Sequence, residues 1–578
     1  MIQMRFGKPE GFTERVLALI GQDTLKLKDK LGVLGFTYST LQKFWFKKEF
    51  EPHTVDVVKT LDEVDISNAV LEEYSKCMGP FPERVYPSTF KTEMLLDYQT
   101  EALEFCKKAR SGLVALAIGC GKTPTAIGYA EFLGLKNMVI VPSSLKYQWT
   151  GELLKFADIP DNQKIVIDGK SRSKRDKQWN QSLDRKYTIC SYDLLKQPED
   201  LCQAIESLDN GFLIFDEIMR IKTPTSKRTK CAKELRKSAK YCIGLTGTPL
   251  ENSITEFWNV LNVVNPSFLP NYDKFAEAFL ITEIKYKEYF DKKTMKMKQK
   301  PYILVRGEKN VQTFRQLIQP LVFRKEKREC LNLPPSNTIV RWVESSKKQK
   351  EIEKKLFELA KEDPENILRY FTYAREAVIS PDLIPPLEDR GFKDIWAKFL
   401  GEEIGDGIQT GVPARVDQLI SGELKPKDII LTPRLQEVIE IVDDSAGEKL
   451  IIFSTYVRAL ELIRRCILKE PSAMIVGGCD IQKESEKFRG DTRILLMSEA
   501  GAEGLNLQHC HLLLTVNKAY NPAKHQQLLG RIERSGQKSS MQFYEIRDKS
   551  SVIEKRVENI LSKKTKLSEF VLAKEAML

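Results

Sequence analysis

The sequence of 578 residues has no stretch that approaches the ~18 consecutive apolar residues of a membrane-spanning helix. Its 11 cysteines are scattered and include no C-x-x-C pair, and the opening residues lack the apolar core of a signal peptide. We therefore expect no membrane association, no disulfides, no structural zinc and a reducing, cytoplasmic environment. His509, Cys510 and His511 are adjacent, but successive residues of a strand point to opposite faces, so we expect no metal site there.

Basic residues are in excess, with a formal net charge of +11 and a pI near 8.9. They cluster at 170–177, 291–300 and 324–328. Such an excess suits a polyanion partner, because each phosphate that a cation neutralises releases a counterion. Solvated surface charge explains the same pattern equally well, so charge alone leaves both interpretations open.

Two series of short apolar runs, separated by helical stretches, predict two α/β units with parallel sheets flanked by helices. The first series starts at 112 and the second at 450, whereas 270–430 is rich in lysine and glutamate and lacks this rhythm. The predicted domains are a small N-terminal accessory domain at 1–85, a first lobe at 86–322 with an insertion near 270–310, a linker and helical insertion at 323–432, a second lobe at 433–550, and a C-terminal helical brace at 551–578.

A glycine loop lies between the run LVALAI and the helical stretch PTAIGYAEFL. In this context the backbone amides of Gly119, Cys120 and Gly121 are placed to cradle phosphate oxygens at a helix N-terminus. Lys122 would then reach the β and γ phosphates, and the hydroxyl of Thr123 would bind magnesium. The longer form of this motif has glycine where Leu116 stands, which weakens the pattern but not the chemistry.

Two carboxylates end the apolar run FLIFDE. Asp216 is placed to hold magnesium and Glu217 to act as the general base that polarises water. The alternative is a pair of helix-capping carboxylates. Late in the second series, Arg531 and Arg534 lie about one helical turn apart, a spacing suited to stabilising charge on a γ phosphate, although surface arginines on a helix share it.

Ten motifs in order over 91–550 resemble the Swi/Snf-type ATPases of helicase superfamily two. In the first half they are LLDYQ, GCGKT, VPSSLKYQW, CSYDLL, DEIMRIK and LTGTPLENS, and in the second FRKEKRECLNLPP, LIIFSTY, SEAGAEGLNL and YNPAKHQQLLGRIERSGQ. The resemblance implies two RecA-like lobes, ATP and Mg2+ as cofactors, and a motor that tracks on duplex or branched DNA as a monomer. It favours translocation over strand separation, and does not identify protein partners.

The resemblance also implies further site residues. Beyond the loop, those implied to bind ATP are Tyr98, Gln99, Gly504 and Gln527. Those implied to contact DNA are Ser143, Ser144, Lys146, Ser191, Tyr192, Arg220, Lys222, Ser454 and Thr455, although turn and cap residues at strand ends fit the serine and tyrosine positions as well. Those implied to couple hydrolysis to movement are Thr246, Gly247 and Thr248.

The chain departs from the family pattern near the loop and after the acid pair. Leu116 and Ala117 stand where acidic residues are usual, and Ile218 and Met219 stand where alanine and histidine are usual. Glu533 likewise stands where histidine is frequent. Met219 and the missing acids at 116 and 117 keep an alternative function open: a nucleotide-gated nucleic-acid clamp, or an RNA-polymerase-associated remodeller, with weak or no intrinsic turnover.

The segment 35–50 interleaves aromatic residues and lysines, which suits stacking on bases beside a charged backbone. The alternative is a plain core hairpin that buries Phe36, Trp45 and Phe46, as a domain of this size requires. No histone-directed segment is apparent, and the limited appendages favour a bacterial or viral-host cytoplasm over a nucleus.

Overall fold

A computed structural model of the chain describes residues 2–9, 12, 14–21, 31–32, 36–40, 43–48, 54–55, 58, 64–78, 84–250, 253–266, 268–291, 296–331, 333–400, 413–499, 505–519, 521–534 and 536–572. These residues divide into two compact units, with the main boundary between Glu326 and Lys327. Ile118–Cys120 group with the second unit, and the described residues from Leu567 onward group with the first. In the part of the chain that is described, no helix is both long enough and apolar enough to cross a membrane.

A mixed sheet opens the first unit. Its strands are β1 (Ile2–Gly7), β2 (Val16–Ile20), β3 (Thr37–Ser39), β4 (Phe44–Lys47) and β5 (Val64–Ile66), in the order β3-β4-β2-β1-β5, followed by helix α1 (Asn68–Met78). Phe36 and Trp45 are 4% and 6% exposed and Phe46 is half-buried, so two of the three aromatics belong to the core.

The first large sheet is seven-stranded and parallel. In chain order the strands that follow are β6 (Gly112–Leu116), β7 (Asn137–Val141), β8 (Lys164–Val166), β9 (Tyr187–Ser191), β10 (Phe212–Asp216), β11 (Tyr241–Leu245), the hairpin strands β12 (Leu280–Asp291) and β13 (Lys296–Glu308), and β14 (Val322–Lys325). The sheet order is β14-β6-β11-β10-β7-β9-β8. Its central strands are buried along their whole length because helices cover both faces.

Four helices of this unit begin at a polar N-cap residue. Ser171, Ser226, Ser253 and Asn271 each accept a hydrogen bond from the backbone N–H three residues on. The helices are α2 (Asp97–Ala109), α3 (Lys122–Leu133), α4 (Lys146–Ala157), α5 (Arg172–Ser182), α6 (Pro198–Leu208), α7 (Lys227–Lys237), α8 (Ile254–Val264), α9 (Tyr272–Phe279) and α10 (Val311–Ile318).

The second unit contains a six-stranded parallel sheet. Its strands are β15 (Ser336–Val343), β16 (Leu450–Phe453), β17 (Ser472–Ile475), β18 (Ile494–Met497), β19 (Leu512–Thr515) and β20 (Met541–Asp548), in the order β15-β20-β19-β16-β18-β17. Its helices are α11 (Lys327–Cys330), α12 (Lys347–Glu362), α13 (Ile367–Ile379), α14 (Arg390–Leu400), α15 (Arg415–Ser421), α16 (Pro433–Asp444), α17 (Val457–Cys466), α18 (Ile481–Arg489), α19 (Pro522–Ile532) and α20 (Val552–Leu572). Two parallel sheets flanked by helices confirm the predicted fold class.

Strands also run through 270–430, where the sequence predicts none. Two of them form the hairpin, one completes the first sheet at its edge, and β15 is an edge strand of the second sheet. The prediction fails because these strands are short or carry charge at many positions, and the apolar run at 302–305 in β13 follows a lysine-rich stretch. The helices α12 to α14 do form the predicted helical insertion, and Ile553 at the start of α20 is buried in their core.

Candidate active site

Three adjacent strands of the first sheet bring the predicted site residues to one edge. β6, β11 and β10 are neighbours and parallel, so their carboxyl ends meet at the same side of the sheet. The glycine loop follows β6, the predicted coupling residues follow β11, and Asp216 ends β10. Crevices at the carboxyl ends of parallel strands are where α/β folds bind their ligands.

The glycine loop has the backbone geometry of a phosphate-binding turn. Gly119 and Gly121 have φ of +88° and +65°, conformations that side chains disfavour. Helix α3 begins at Lys122 with Gly121 as its N-cap, and no side chain caps its first N–H groups. These N–H groups and the positive end of the helix dipole are therefore available to an anion.

Gln99 fixes this loop from helix α2. Its side-chain Nε2 donates to the carbonyl of Gly121 at 3.0 Å, and its Oε1 accepts from the backbone N–H of Leu96 at 2.9 Å. A Cβ at Gly121 would lie 2.5 Å from Gln99 Nε2, so the contact requires glycine. Gln99 and Tyr98, the predicted adenine-reading pair, are 5% and 6% exposed, and Gln99 lies against the glycine loop.

Asp216 accepts hydrogen bonds from residues that follow two other strands of the sheet, β7 and β9. It is 6% exposed, and its Oδ2 accepts from the indole N–H of Trp149 on α4 at 2.8 Å. Its Oδ1 accepts from the backbone N–H of Glu217 at 2.9 Å, and its carbonyl accepts from the hydroxyl of Tyr192 at 2.7 Å. Burial, together with the charges of Asp216 and Glu217, raises the pKa of Tyr192 well above its ordinary value, so the hydroxyl keeps its proton.

Glu217 has φ of +48°, in the left-handed region. A non-glycine residue in that conformation is strained, and such strain concentrates at functional sites. Glu217 is half-buried, whereas Asp216 is buried. The two carboxylates therefore differ in environment.

The segment after the acid pair is fastened from two helices. Thr229 Oγ1 on α7 donates to the carbonyls of Ile221 and Thr223, at 2.8 and 2.7 Å. Asn259 on α8 donates to the carbonyl of Ile221 at 2.8 Å. Met219, which replaces the family's usual histidine, is 5% exposed and belongs to the hydrophobic core.

Two predicted DNA contacts in this segment, Arg220 and Lys222, are half-buried. Lys222 forms an ion pair with Glu256 at 3.5 Å. The predicted contacts that follow β7 lie nearer to solvent. Ser143 and Ser144 are exposed in a short 3-10 turn, and Lys146 is half-buried at the start of α4.

Three other predicted DNA contacts lie inside the fold. Tyr192 is 2% exposed and its hydroxyl is bonded to Asp216, so its side chain is a support of the acid pair and not a surface contact. Ser454 is 0% exposed and donates to Asn517 Oδ1 at 2.7 Å. Ser191 is also buried. The side chains of Tyr192 and Ser454 bond inward, as polar residues at the ends of buried strands do, and DNA contact at these two positions stays a prediction.

In the second unit, Asn517 joins the two residues that follow β16. Its Oδ1 accepts from the backbone N–H of Thr455 at 3.2 Å, and its Nδ2 donates to Thr455 Oγ1 at 2.5 Å. Thr455 itself is half-buried. The network fixes the loop after β16 to the loop after the adjacent strand β19.

The predicted arginine pair lies at the end of helix α19. Arg531 is in its last turn and Arg534 follows it, and both are half-buried. Glu533, which lies between them in the sequence, forms an ion pair with Lys327 at 2.7 Å. This ion pair explains how an acidic residue is accommodated at a position where the family often has histidine. Gln527 is half-buried on the same helix, and Gly504 lies outside the described residues.

The predicted coupling residues form a tight turn at the end of β11. The backbone N–H of Thr246 donates to the carbonyl of Val114 on β6 at 3.1 Å, and Thr248 N–H donates to Thr246 Oγ1 at 3.1 Å. Thr246 and Thr248 are 0% and 5% exposed, and Gly247 between them is half-buried. The turn is therefore tied directly to the strand that leads into the glycine loop.

Sequence reasoning missed two supporting residues, Trp149 and Asn517. Both touch predicted site residues only across long sequence separations, 67 residues in one case and 63 in the other. Trp149 lies within a motif that the resemblance identifies, so its position carried a signal, but nothing in the sequence named its partner.

A parallel-sheet unit with a phosphate loop and an acid pair on neighbouring strands, followed by a second parallel-sheet unit, defines the class of ATP-hydrolysing, helicase-like motors. Residues 26–383 match the family model of the SNF2-related domain, and residues 433–536 match that of the helicase conserved C-terminal domain. The chain therefore belongs to the SNF2-related family of ATP-dependent helicases and translocases, and it is an ATP hydrolase.

Relatives of this chain occur in bacteria and in animals. An uncharacterized ATP-dependent helicase, YqhH of Bacillus subtilis, is 25% identical over 504 residues, which cover 82% of this chain and 79% of that protein. The putative ATP-dependent helicase/translocase YwqA of the same organism is 24% identical, covering 79% of this chain and 46% of the relative. A human SWI/SNF-related regulator of chromatin, subfamily A member 1, is 23% identical, covering 82% and 43%. The chain thus spans less than half the length of the last two.

Among solved structures, the Sulfolobus solfataricus SWI2/SNF2 ATPase core in complex with dsDNA is similar at 20% identity, with a TM-score of 0.35. The match covers 85% of this chain and 95% of that chain.

Proposed function

We propose that this ATPase is DNA-dependent and that it translocates along duplex or branched DNA, which it remodels by branch migration, annealing or displacement of bound protein. The observation that carries the proposal is the edge of the first sheet, where the glycine loop, the Thr246–Thr248 turn and Asp216 follow three adjacent parallel strands. Phosphoryl transfer needs positioning and charge stabilisation more than covalent chemistry, and this edge supplies both.

The proposal gives each residue of this edge one task. Lys122 at the start of α3 neutralises phosphate charge, and Glu217 accepts a proton from the attacking water. The oxygens of Thr123 and Asp216 suit Mg2+, a hard cation that usually keeps several waters and takes only one or two protein carboxylates. When bound, Mg2+ supplies neutralisation of the β and γ phosphate charge. Arg531 and Arg534 are assigned to the charge that develops on the γ phosphate.

Support for DNA as the track comes from charge and from the exposed loop after β7. The net charge of +11 favours a polyanion, and Ser143 and Ser144 present hydroxyls and backbone N–H groups at the surface. Phosphate and sugar contacts carry no sequence information. Binding is therefore expected to tolerate any sequence and to weaken steeply with salt.

Displacement of a third strand from a linear triplex tests translocation directly, because a motor that moves along the duplex removes the third strand without separating the other two. The proposal predicts ATP-dependent displacement by the wild-type chain and none by Lys122→Ala. Duplex-stimulated hydrolysis without displacement would contradict translocation while leaving the ATPase intact.

We further propose that the chain acts as a monomer in a bacterial cytoplasm. Bacterial relatives and ten described cysteines that are all free thiols support this setting. Analytical ultracentrifugation at micromolar concentration tests the monomer, and a sedimenting dimer would contradict it.

A further inference from the structure

A long hairpin leaves the first unit between α9 and α10. Its root is part of the core, because Phe279 and Leu280 are 0% and 2% exposed. Lys309 N–H donates to the carbonyl of Phe279 at 2.8 Å, and Asn310 donates to the carbonyl of Ala278 at 2.9 Å. Beyond this root β12 and β13 pair with each other for 12 positions, a ribbon roughly 40 Å long at ~3.3 Å per residue.

One face of this hairpin is apolar and exposed. The register pairs Ile284 with Ile303 and Tyr286 with Pro301, and partners in register share a face. Ile284, Tyr286 and Ile303 are 65%, 64% and 57% exposed. Such side chains on a sheet face normally pack on a core, so a contiguous exposed set indicates a binding surface.

Several of the alternate register positions of the hairpin are lysines. Lys285 pairs with Tyr302, and Lys287 pairs with Lys300. Residues 280–308 contain eight lysines or arginines and four acidic residues. This excess disfavours a second copy of the chain as the occupant of the apolar face, because two copies would bring like charges together. It favours a partner that combines flat apolar surfaces with dense negative charge.

We propose that this hairpin binds the branch point of DNA. The aromatic and aliphatic face stacks on the bases that a junction leaves without a stacking neighbour, and the excess of basic residues in 280–308 attracts the hairpin to the phosphates of the adjoining strand. A linear duplex offers phosphates but no unstacked base pair in its interior, so the hairpin distinguishes junctions from plain duplex. This inference rests on the proposed function, since it names the DNA structure on which the motor would act.

The test replaces the apolar face while keeping β-forming residues, with Ile284→Thr, Tyr286→Thr and Ile303→Thr combined. A second variant replaces residues 285–302 by Asn-Gly, which closes the ribbon at the Ile284 and Ile303 pair with a two-residue turn. Leu154→Gln serves as the control, because Leu154 is an exposed apolar residue (54%) of the same unit outside the hairpin.

Fluorescence anisotropy measures affinity for a fork and for a linear duplex of equal length, and 2-aminopurine at the fork reports stacking. Both hairpin variants are expected to lose roughly fivefold or more in fork affinity and the 2-aminopurine quenching, while duplex affinity changes less than twofold. The control is expected to match wild type.

Unchanged fork affinity in either hairpin variant, equal losses on fork and duplex, or a dimer of the wild-type chain that the variants dissolve would each overturn the inference. Absence of duplex-stimulated ATP hydrolysis in the wild type would instead overturn the proposed motor, while the fork measurement would still decide what the hairpin binds.

Discussion

Trp149 donates its indole N–H to Oδ2 of Asp216 at 2.8 Å, from helix α4, which follows the neighbouring strand β7 in the chain. Both residues are buried, at 1% and 6% exposure. The bond orients a carboxylate that is assigned to metal binding, which is the task that outer hydrogen-bond partners perform at many metal sites.

Trp149→Phe is expected to raise the Mg2+ concentration for half-maximal ATPase activity by about tenfold or more, because Asp216 loses its orienting donor. The structure offers a matched control. Trp179 is equally buried, and its indole donates to Asp200 at the same 2.8 Å outside the site. Both variants are expected to lose about 1–3 kcal/mol of unfolding free energy. An equal change of Mg2+ dependence in Trp179→Phe would contradict the assignment.

Gly121→Ala is expected to weaken ATP binding by roughly tenfold or more, since a Cβ there meets Gln99 and the residue has φ of +65°. Gly134→Ala is the control at the other end of the same helix, where φ is +58° and the Cβ meets Arg84. Backbone strain of ~1–2 kcal/mol applies to both. Nucleotide affinity measured by calorimetry should fall only for Gly121→Ala, and a comparable fall in both would assign the effect to helix stability alone.

Glu376 on α13 gives a pH dependence to the second unit. Burial raises its pKa to about 7, although the charge of Arg458 at 3.5 Å works in the opposite direction. The pKa of this carboxyl is near 4.5 in the unfolded chain and about 7 in the folded chain, so between these two pH values the folded state binds more protons. Its contribution to stability is therefore greatest at low pH and is lost as the pH rises from about 4.5 to about 7.

Glu376→Gln removes this titration. The melting temperature of Glu376→Gln minus that of wild type is therefore expected to increase from pH 5 to pH 7.5. The increase corresponds to about 1–3 kcal/mol of unfolding free energy. Asp417→Asn, which removes the second carboxylate paired with Arg458, is the control. A constant difference between Glu376→Gln and wild type across this range would contradict the assignment.

The phosphate loop and the acid pair were predictable from sequence because each is encoded locally, by a glycine loop between an apolar run and a helix and by two carboxylates that end an apolar run. The partners of these residues were not. Trp149 reaches Asp216 from another strand's helix, and Asn517 reaches Ser454 from an adjacent strand. The partner of Tyr192 was likewise not predictable, since its motif implied a DNA contact and carried no sign that its hydroxyl bonds to the carbonyl of Asp216.

In the fold, too, elements marked by a local sequence pattern were predictable, and elements without one were not. Apolar runs marked the central strands of both sheets, which are buried on both faces. The hairpin was missed because β12 and β13 pair with each other and are rich in charged residues, so the one apolar run, at 302–305 in β13, has no apolar partner run in β12 to indicate a strand pair.

The most direct test is ATP hydrolysis by the wild type and by Glu217→Gln, alone and with duplex DNA, across a salt series. The account predicts that duplex DNA stimulates the wild type, that rising salt erodes the stimulation, and that Glu217→Gln loses about 10²–10⁴-fold in turnover while it still binds ATP. Turnover of Glu217→Gln at the wild-type rate, or ATP binding by the wild type without any turnover in the presence of duplex DNA, would contradict it and favour a nucleotide-gated clamp.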